Sequence, residues 1–322
     1  MGKSGGYRLG SVEDSEIIRN FRWQDLEPNT AWTAWRAARL RVSERLQALP
    51  PVEVDSLESP SPEAVRELEA RCALGNFAVY SVAHPETDVA AASAALARFA
   101  QHFGLLESEA HRSSGAAGVV ALRTSSEEGK KGYIPYTPKA MNWHTDGYYS
   151  APENRVAGFL LHCHQKALSG GENQLMDPEL AYLRLREADP AYVRALMHPE
   201  AMTIPENREP DGTIRPDSVG PVFYPDPATG RLQMRYTART RSINWRQDSA
   251  TLEAADWLRA WLAAGDPLMR QIRLDRGQGI LNNNVLHNRT RFEDGASETD
   301  RRVMLRLRFH VRVAEEIHGA AE

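Results

Sequence analysis

The stretch NWHTDGYY, residues 142–149, places an imidazole and a carboxylate two positions apart. In an extended segment, positions i and i+2 point to the same side. His144 and Asp146 then face one point in space, with Thr145 turned away. Such a pair is half of a metal site. Two further His-x-acid triplets, His84-Pro85-Glu86 and His198-Pro199-Glu200, carry proline in the middle and follow the end of an element. They read as solvated turns. A third ligand for the first pair is offered by His287, which follows a cluster of asparagines in the apolar run GILNNNVLHNRTRF.

Two histidines and one carboxylate leave several coordination positions open on one side, which suits Fe(II) holding a bidentate cosubstrate and O2. Zinc would favour a tetrahedral site, one open position and hydrolysis. A non-catalytic metal or anion sensor could use the same ligands. The segment RRVMLRLRF, residues 301–309, weighs against the hydrolase. It alternates: Arg302, Met304, Arg306 and Arg308 share one face, and Val303, Leu305, Leu307 and Phe309 share the other. On an interior face arginines are costly unless each meets an anion. A guanidinium binds a carboxylate through two parallel hydrogen bonds. On a solvent face the same residues are ordinary surface charge, and spacing alone leaves both open. His162-Cys163-His164 could form a second metal pair, but no third ligand is near in sequence and FLLHCHQ reads as a core strand.

These residues need elements to hold them. Residues 31–48 place Trp32, Trp35, Leu40, Val42 and Leu46 on one stripe, and Pro50-Pro51 stops that helix. Ser61 caps a helix with Pro62 at its first position, ending near Gly75. NFAVYSV predicts a strand, and Asp88 caps a helix that stops at Gly104. From about residue 118, short apolar runs separated by Gly, Pro and Asn predict strands, interrupted by helices near 178–186, 190–198 and 251–264. The expected fold is mainly β with outer helices. A helical N-terminal extension covers 1–60 and a single catalytic domain covers 61–322. Residues 112–140, rich in Gly, Ser and Lys, predict a lid over the substrate. A formal charge of −4 with no basic run gives no footprint for nucleic acid. No apolar run reaches the ~18–20 residues that cross a bilayer, so no membrane partner is expected. The N-terminus lacks a signal peptide and two cysteines make no disulfide framework, so a cytoplasmic location is expected.

Four motifs occur in a fixed order: His-Thr-Asp at 144–146, SGGENQL at 169–175, His287, and RRVMLR at 301–306. Over about residues 75–313 the chain resembles the taurine dioxygenase-like (TauD/TfdA-like) Fe(II)/2-oxoglutarate-dependent oxygenases, whose broader relatives include clavaminate synthase-like and γ-butyrobetaine hydroxylase-like enzymes. GRLQMRY before the distal histidine is similar to the glutarate hydroxylase branch. The resemblance implies a double-stranded β-helix, or jelly roll. It implies that His144, Asp146 and His287 hold Fe(II), and that Arg302 pairs with the distal carboxylate of 2-oxoglutarate. Asn173 stands where the family often has Thr or Ser and would assist that carboxylate through its amide. Arg306 matches the position that meets the anionic end of the substrate in sulfonate-binding relatives.

Tyr148, Tyr149 and Arg235, with Tyr236 and Arg239, are expected near the substrate. An arginine-lined pocket suits a small carboxylate, amino acid or sulfonate; an aromatic cage of Trp143, Tyr148 and Tyr149 would instead suit a quaternary ammonium. The implied reaction consumes O2 and 2-oxoglutarate and releases succinate and CO2 while a substrate C–H is hydroxylated. Desaturation, cyclisation or C–N or C–S cleavage would use the same cofactors. Asp146, where Gly or Ala would leave room for halide, favours oxygenation over halogenation. A homo-oligomer is common in such relatives.

Overall fold

The computed structural model describes residues 11–109, 118–127, 133–208, 212–297 and 300–313. Among the described residues there are seven α-helices: α1 Val12–Asn20, α2 Thr30–Ala48, α3 Pro62–Gly75, α4 Val89–Gln101, α5 Pro178–Ala188, α6 Pro190–Leu196 and α7 Ser249–Ala264. Their starts follow local chemistry. Asn29, Ser61, Asp88, Asp177 and Asp248 each accept a backbone N–H of the first turn through a side-chain oxygen.

Ten strands build two sheets. They are β1 Val52–Val54, β2 Phe77–Val82, β3 Val120–Leu122, β4 Met141–His144, β5 Gly158–Gln165, β6 Asn173–Met176, β7 Arg270–Ile272, β8 Gln278–Asn282, β9 Leu286–Arg289 and β10 Val303–Phe309. The larger sheet runs β1-β2-β8-β5-β10-β3 and the smaller runs β7-β6-β9-β4. Apart from the parallel β1–β2 pair, the ladders of both sheets are antiparallel.

Alternation along the strands sorts the side chains into layers. Phe159, Leu161, Cys163, Leu175, Ile280 and Met304 meet in one cluster fed by both sheets. Leu160, Leu281, Leu305 and Leu307 point the other way, onto α3 and α4 through Leu68, Cys72, Leu96 and Phe99. The far side of the smaller sheet presents Trp143, Met176 and Leu286 to a third cluster, shared with α1, α2, α5, α6 and α7. Two sheets thus enclose one core and are flanked by helices. Strands frame the site, but helices supply much of the mass around it, more than a mainly β reading suggests.

Of the expected lid, residues 112–117 and 128–132 lie outside the described residues. Within the remainder, β3 is an edge strand paired to β10, and Tyr136 is buried in the core between the sheets. None of the described helices is long and apolar enough to cross a membrane.

Candidate active site

His144 ends β4, and β9 pairs with β4 so that His287 lies directly opposite it. The two imidazole centroids are 4.2 Å apart. Asp146 follows two residues after His144, and donor atoms of the three side chains lie within 4.8 Å of one another. The intervening Thr145 is turned away, as the i, i+2 spacing predicts. Its backbone N–H donates to Tyr236 O, and its Oγ1 accepts from the Tyr236 N–H.

Both histidines are held in the same manner. His144 Nδ1 lies 2.8 Å from Asn142 O and His287 Nδ1 lies 2.9 Å from Val285 O, each the carbonyl two residues upstream. A carbonyl can only accept, so each Nδ1 donates and each Nε2 is the nitrogen left to face inward. Those Nε2 atoms face Asp146 Oδ1, at 3.5 and 3.7 Å. Burial and the neighbouring His144 push the His287 pKa down to about 4, which keeps it neutral at ordinary pH. Two imidazole Nε2 atoms converging on a carboxylate oxygen form a donor set that fits a divalent transition metal.

The other oxygen of Asp146 has different company. Arg306 Nη1 is 3.1 Å and Arg308 Nη1 3.9 Å from Oδ2. Burial opposes ionisation here, but Arg306, His144, Arg308 and His287 outweigh it and hold the carboxyl well below its ordinary range. Arg308 is further engaged: its Nε is 2.5 Å from Glu109 Oε2, and its Nη1 donates to Tyr149 Oη at 3.1 Å.

The arginine face of β10 therefore points inward. Arg302, at the start of this strand, is 5% exposed, and its guanidinium lies 5.0 Å from the Phe292 ring centroid. Burial lowers its pKa to about 10, and no ion pair to it is found among the described residues. Asp294 accepts the Arg302 backbone N–H and acts on the guanidinium only from a distance, and a buried guanidinium without a direct ion pair is a costly arrangement unless an anion arrives from outside. The space beside it is lined by Gly170, Gly171, Asn173, Cys163 and Met304. Gly171, which adjoins Arg302, has φ +79°, a left-handed backbone that glycine adopts without strain. Asn173 lines it, while one amide hydrogen is spent on Asn288 O at 2.9 Å.

Not every candidate is brought to this site. Arg235, expected near the substrate, is a structural clamp. Its guanidinium donates to Tyr148 O, Met202 O, Gly220 O, Ser218 O and Ser218 Oγ, at 2.6–3.3 Å, leaving little donor capacity for a ligand. Tyr148 does approach: its ring stands edge-on to His144, with centroids 6.3 Å apart. Tyr149 reaches the site through Arg308. Trp143 packs in the helical core in one cluster with Tyr148, with Tyr149 against it. His162 stacks on Tyr80 on the outer side of β5, and His84-Pro85-Glu86 and His198-Pro199-Glu200 lie in turns.

Asn284 was not singled out by spacing. Its amide Oδ1 accepts the Asp146 N–H at 2.7 Å, and its Nδ2 donates to Asp146 O at 3.0 Å and Val156 O at 2.7 Å. The signal was the unusual asparagine run, but the partner is far away in sequence.

Residues 87–308 match the family model described as "Taurine catabolism dioxygenase TauD, TfdA family". The chain belongs to this family. It is accordingly an enzyme, a dioxygenase of the class that works with Fe(II), 2-oxoglutarate and O2. Comparison with curated proteins gives no match. Among solved structures, this TauD/TfdA-family chain is similar to an asparagine oxygenase in complex with Fe(II), 2S,3S-3-hydroxyasparagine and succinate. The two are 16% identical, with 93% of this chain and 92% of that one covered and a TM-score of 0.56. It is also similar to PvcB, an Fe, alpha-ketoglutarate-dependent oxygenase from an isonitrile synthetic pathway (17% identity, 82% and 84% covered, TM-score 0.51). A third is the non-haem iron oxygenase OrfP in complex with Fe (15% identity, 92% and 89% covered, TM-score 0.51). At such identities these likenesses speak to the fold.

Proposed function

We propose that His144, Asp146 and His287 hold Fe(II), that Arg302 binds the distal carboxylate of 2-oxoglutarate, and that the enzyme hydroxylates a C–H of a small anionic metabolite. The observation that carries this reading is the placement on one inner face of two imidazole Nε2 atoms aimed at Asp146 Oδ1 and of a buried Arg302 guanidinium that makes no ion pair among the described residues. The two sheets are read as the double-stranded β-helix of the family, with residues 1–60 as an extension and 61–322 as the catalytic domain.

Bound Fe(II) supplies the coupling of O2 reduction to oxidative decarboxylation of 2-oxoglutarate. Held by His144, Asp146 and His287, it would let one oxygen atom pass into succinate, with loss of CO2, and the other into the substrate. The protein's residues orient and shield. The Nδ1 contacts to Asn142 O and Val285 O fix both imidazole planes. Arg306 holds Asp146 Oδ2, so Oδ1, which the two Nε2 atoms face, is the oxygen that would be offered to a metal. Arg308 is engaged by Glu109 and Tyr149, whereas Arg306, although paired with Asp146 Oδ2, keeps a buried Nε with no hydrogen bond among the described residues, so Arg306 is the cation with donor capacity left for an anionic substrate. That charge pattern favours a carboxylate, amino acid or sulfonate, with Tyr148 and Tyr149 forming the adjacent wall.

The test is anaerobic. Fe(II) and 2-oxoglutarate added to apo-protein should give the weak visible charge-transfer band of the chelate, and His144→Ala should remove it. Metal binding without the band would refute the cosubstrate assignment. A band followed by substrate-dependent succinate release, screened across small carboxylates, amino acids and sulfonates, would identify the substrate class.

A further inference from the structure

The backbone of Asp146 is gripped on both sides by one side chain. Asn284 accepts its N–H and donates to its carbonyl, and a second donation ties Val156 O to the same amide. Asn284 is 2% exposed, so water does not compete for these bonds. Its own backbone is left-handed, with φ +53°. Asparagine tolerates that region better than most residues with a Cβ. It lies three residues before His287 and just beyond β8. One amide therefore joins the segment bearing His144 and Asp146 to the hairpin bearing His287.

We propose that Asn284 is a positioning residue that sets the place and orientation of the Asp146 carboxylate relative to both histidines. This rests on the reading of Asp146 as a metal ligand. Asp146 lies beyond the last ladder residue of β4, and Gly147, with φ +65°, turns the chain immediately after it. Sheet pairing thus fixes His144 and His287 but does not fix Asp146. The Asn284 amide takes over where the ladder ends. Val156 belongs to the same arrangement: a Cβ on Gly147 would lie 2.6 Å from Val156 Cγ2, so the turn packs closely against the residue whose carbonyl Asn284 also holds.

The neighbouring asparagine supplies a control of matched burial. Asn283 is 1% exposed; its Nδ2 donates to Cys72 O and its Oδ1 accepts from the Val313 N–H, with no contact to Asp146. The experiment measures Mn(II) binding to the full-length apo-protein by loss of the free-ion EPR signal, beside the thermal midpoint of each apo-variant. Asn284→Gly keeps the left-handed backbone without strain and deletes the amide. It is expected to weaken Mn(II) binding by about tenfold or more, as loss of a group supporting a ligand does. Asn283→Ala is expected to lower the apo midpoint while leaving the Mn(II) affinity as in the parent.

If Asn284→Gly does not fold, the isosteric Asn284→Asp takes its place. It retains the acceptor for the Asp146 N–H and loses both donations, and it too should weaken binding. Unchanged Mn(II) affinity in the folded Asn284 variant would overturn the proposal, as would an equal loss in Asn283→Ala. His144→Ala is measured in parallel. If it binds Mn(II) as the parent does, the metal site itself is wrongly assigned and the proposal falls with it.

Discussion

The carboxylate of Asp146 is shared between two sets of groups, Oδ1 toward the imidazoles and Oδ2 toward Arg306 and Arg308. Removing it deletes the proposed ligand and also leaves the Arg306 guanidinium without its carboxylate, while Arg308 keeps Glu109. Asp146→Ala and His144→Ala are expected to abolish succinate formation while circular dichroism shows a folded chain; turnover at the parent rate in both would sink the triad. At the other end of the face, Arg302→Ala should leave the fold intact and raise the 2-oxoglutarate requirement. Loss of one partner from a buried charge pair costs about 2–5 kcal/mol, which at the lower end is roughly thirtyfold in affinity. An unchanged requirement in a titration of initial rates would assign the distal carboxylate to another arginine. The metal pair was legible at this scale because His144 and Asp146 are neighbours and their side is set by local geometry. Asn284 was not, because an amide gripping a backbone 138 residues away leaves no local pattern.

The alternation of β10 showed which residues share a face, but not which face is inside. That is decided by packing: Leu305 and Leu307 find α3 and α4, and the arginines are left facing the core. The Arg235 clamp was illegible for a similar reason, since its backbone acceptors come from three separate segments. A second buried polar cluster anchors α2 to the frame. Arg39 is fully buried, ion-paired with Asp177 and 3.5 Å from Glu179 Oε2; Arg231 reaches Glu179 Oε1 at 2.9 Å. Asp177 is the cap of α5 and also accepts from Asn76 Nδ2 at 2.8 Å. The N-terminal stripe predicted the helix, with Trp35 and Val42 buried, yet an arginine on that buried face was not predicted. Arg39→Met should destabilise the protein by about 3–5 kcal/mol, because two carboxylates lose a buried counter-charge. A urea midpoint close to the parent's would show that Arg231 alone suffices.

For the whole molecule, the buried histidines set how stability responds to acid. His162 is 2% exposed, with Nδ1 3.2 Å from Tyr80 Oη, and burial followed by the nearby His164 lowers its pKa to about 4. His287 is lowered to about 4 as well. In the unfolded chain both titrate near the ordinary value of about 6.5. Between those limits the unfolded state binds more protons than the folded one, so stability rises with pH and falls on acidification. The contribution is fully present above about pH 6.5 and is progressively lost toward pH 4, at about 1.4 kcal/mol per pH unit for each histidine. Urea unfolding of the metal-free protein at several pH values should show this slope. His162→Phe keeps an aromatic ring beside Tyr80 and removes one titrating group, so its slope should be shallower than the parent's. Divalent metal should then steepen the dependence further, since binding requires the unprotonated imidazoles of His144 and His287. A slope unaffected by His162→Phe would mean that this histidine charges within the fold, which its burial on the outer face of β5 does not permit.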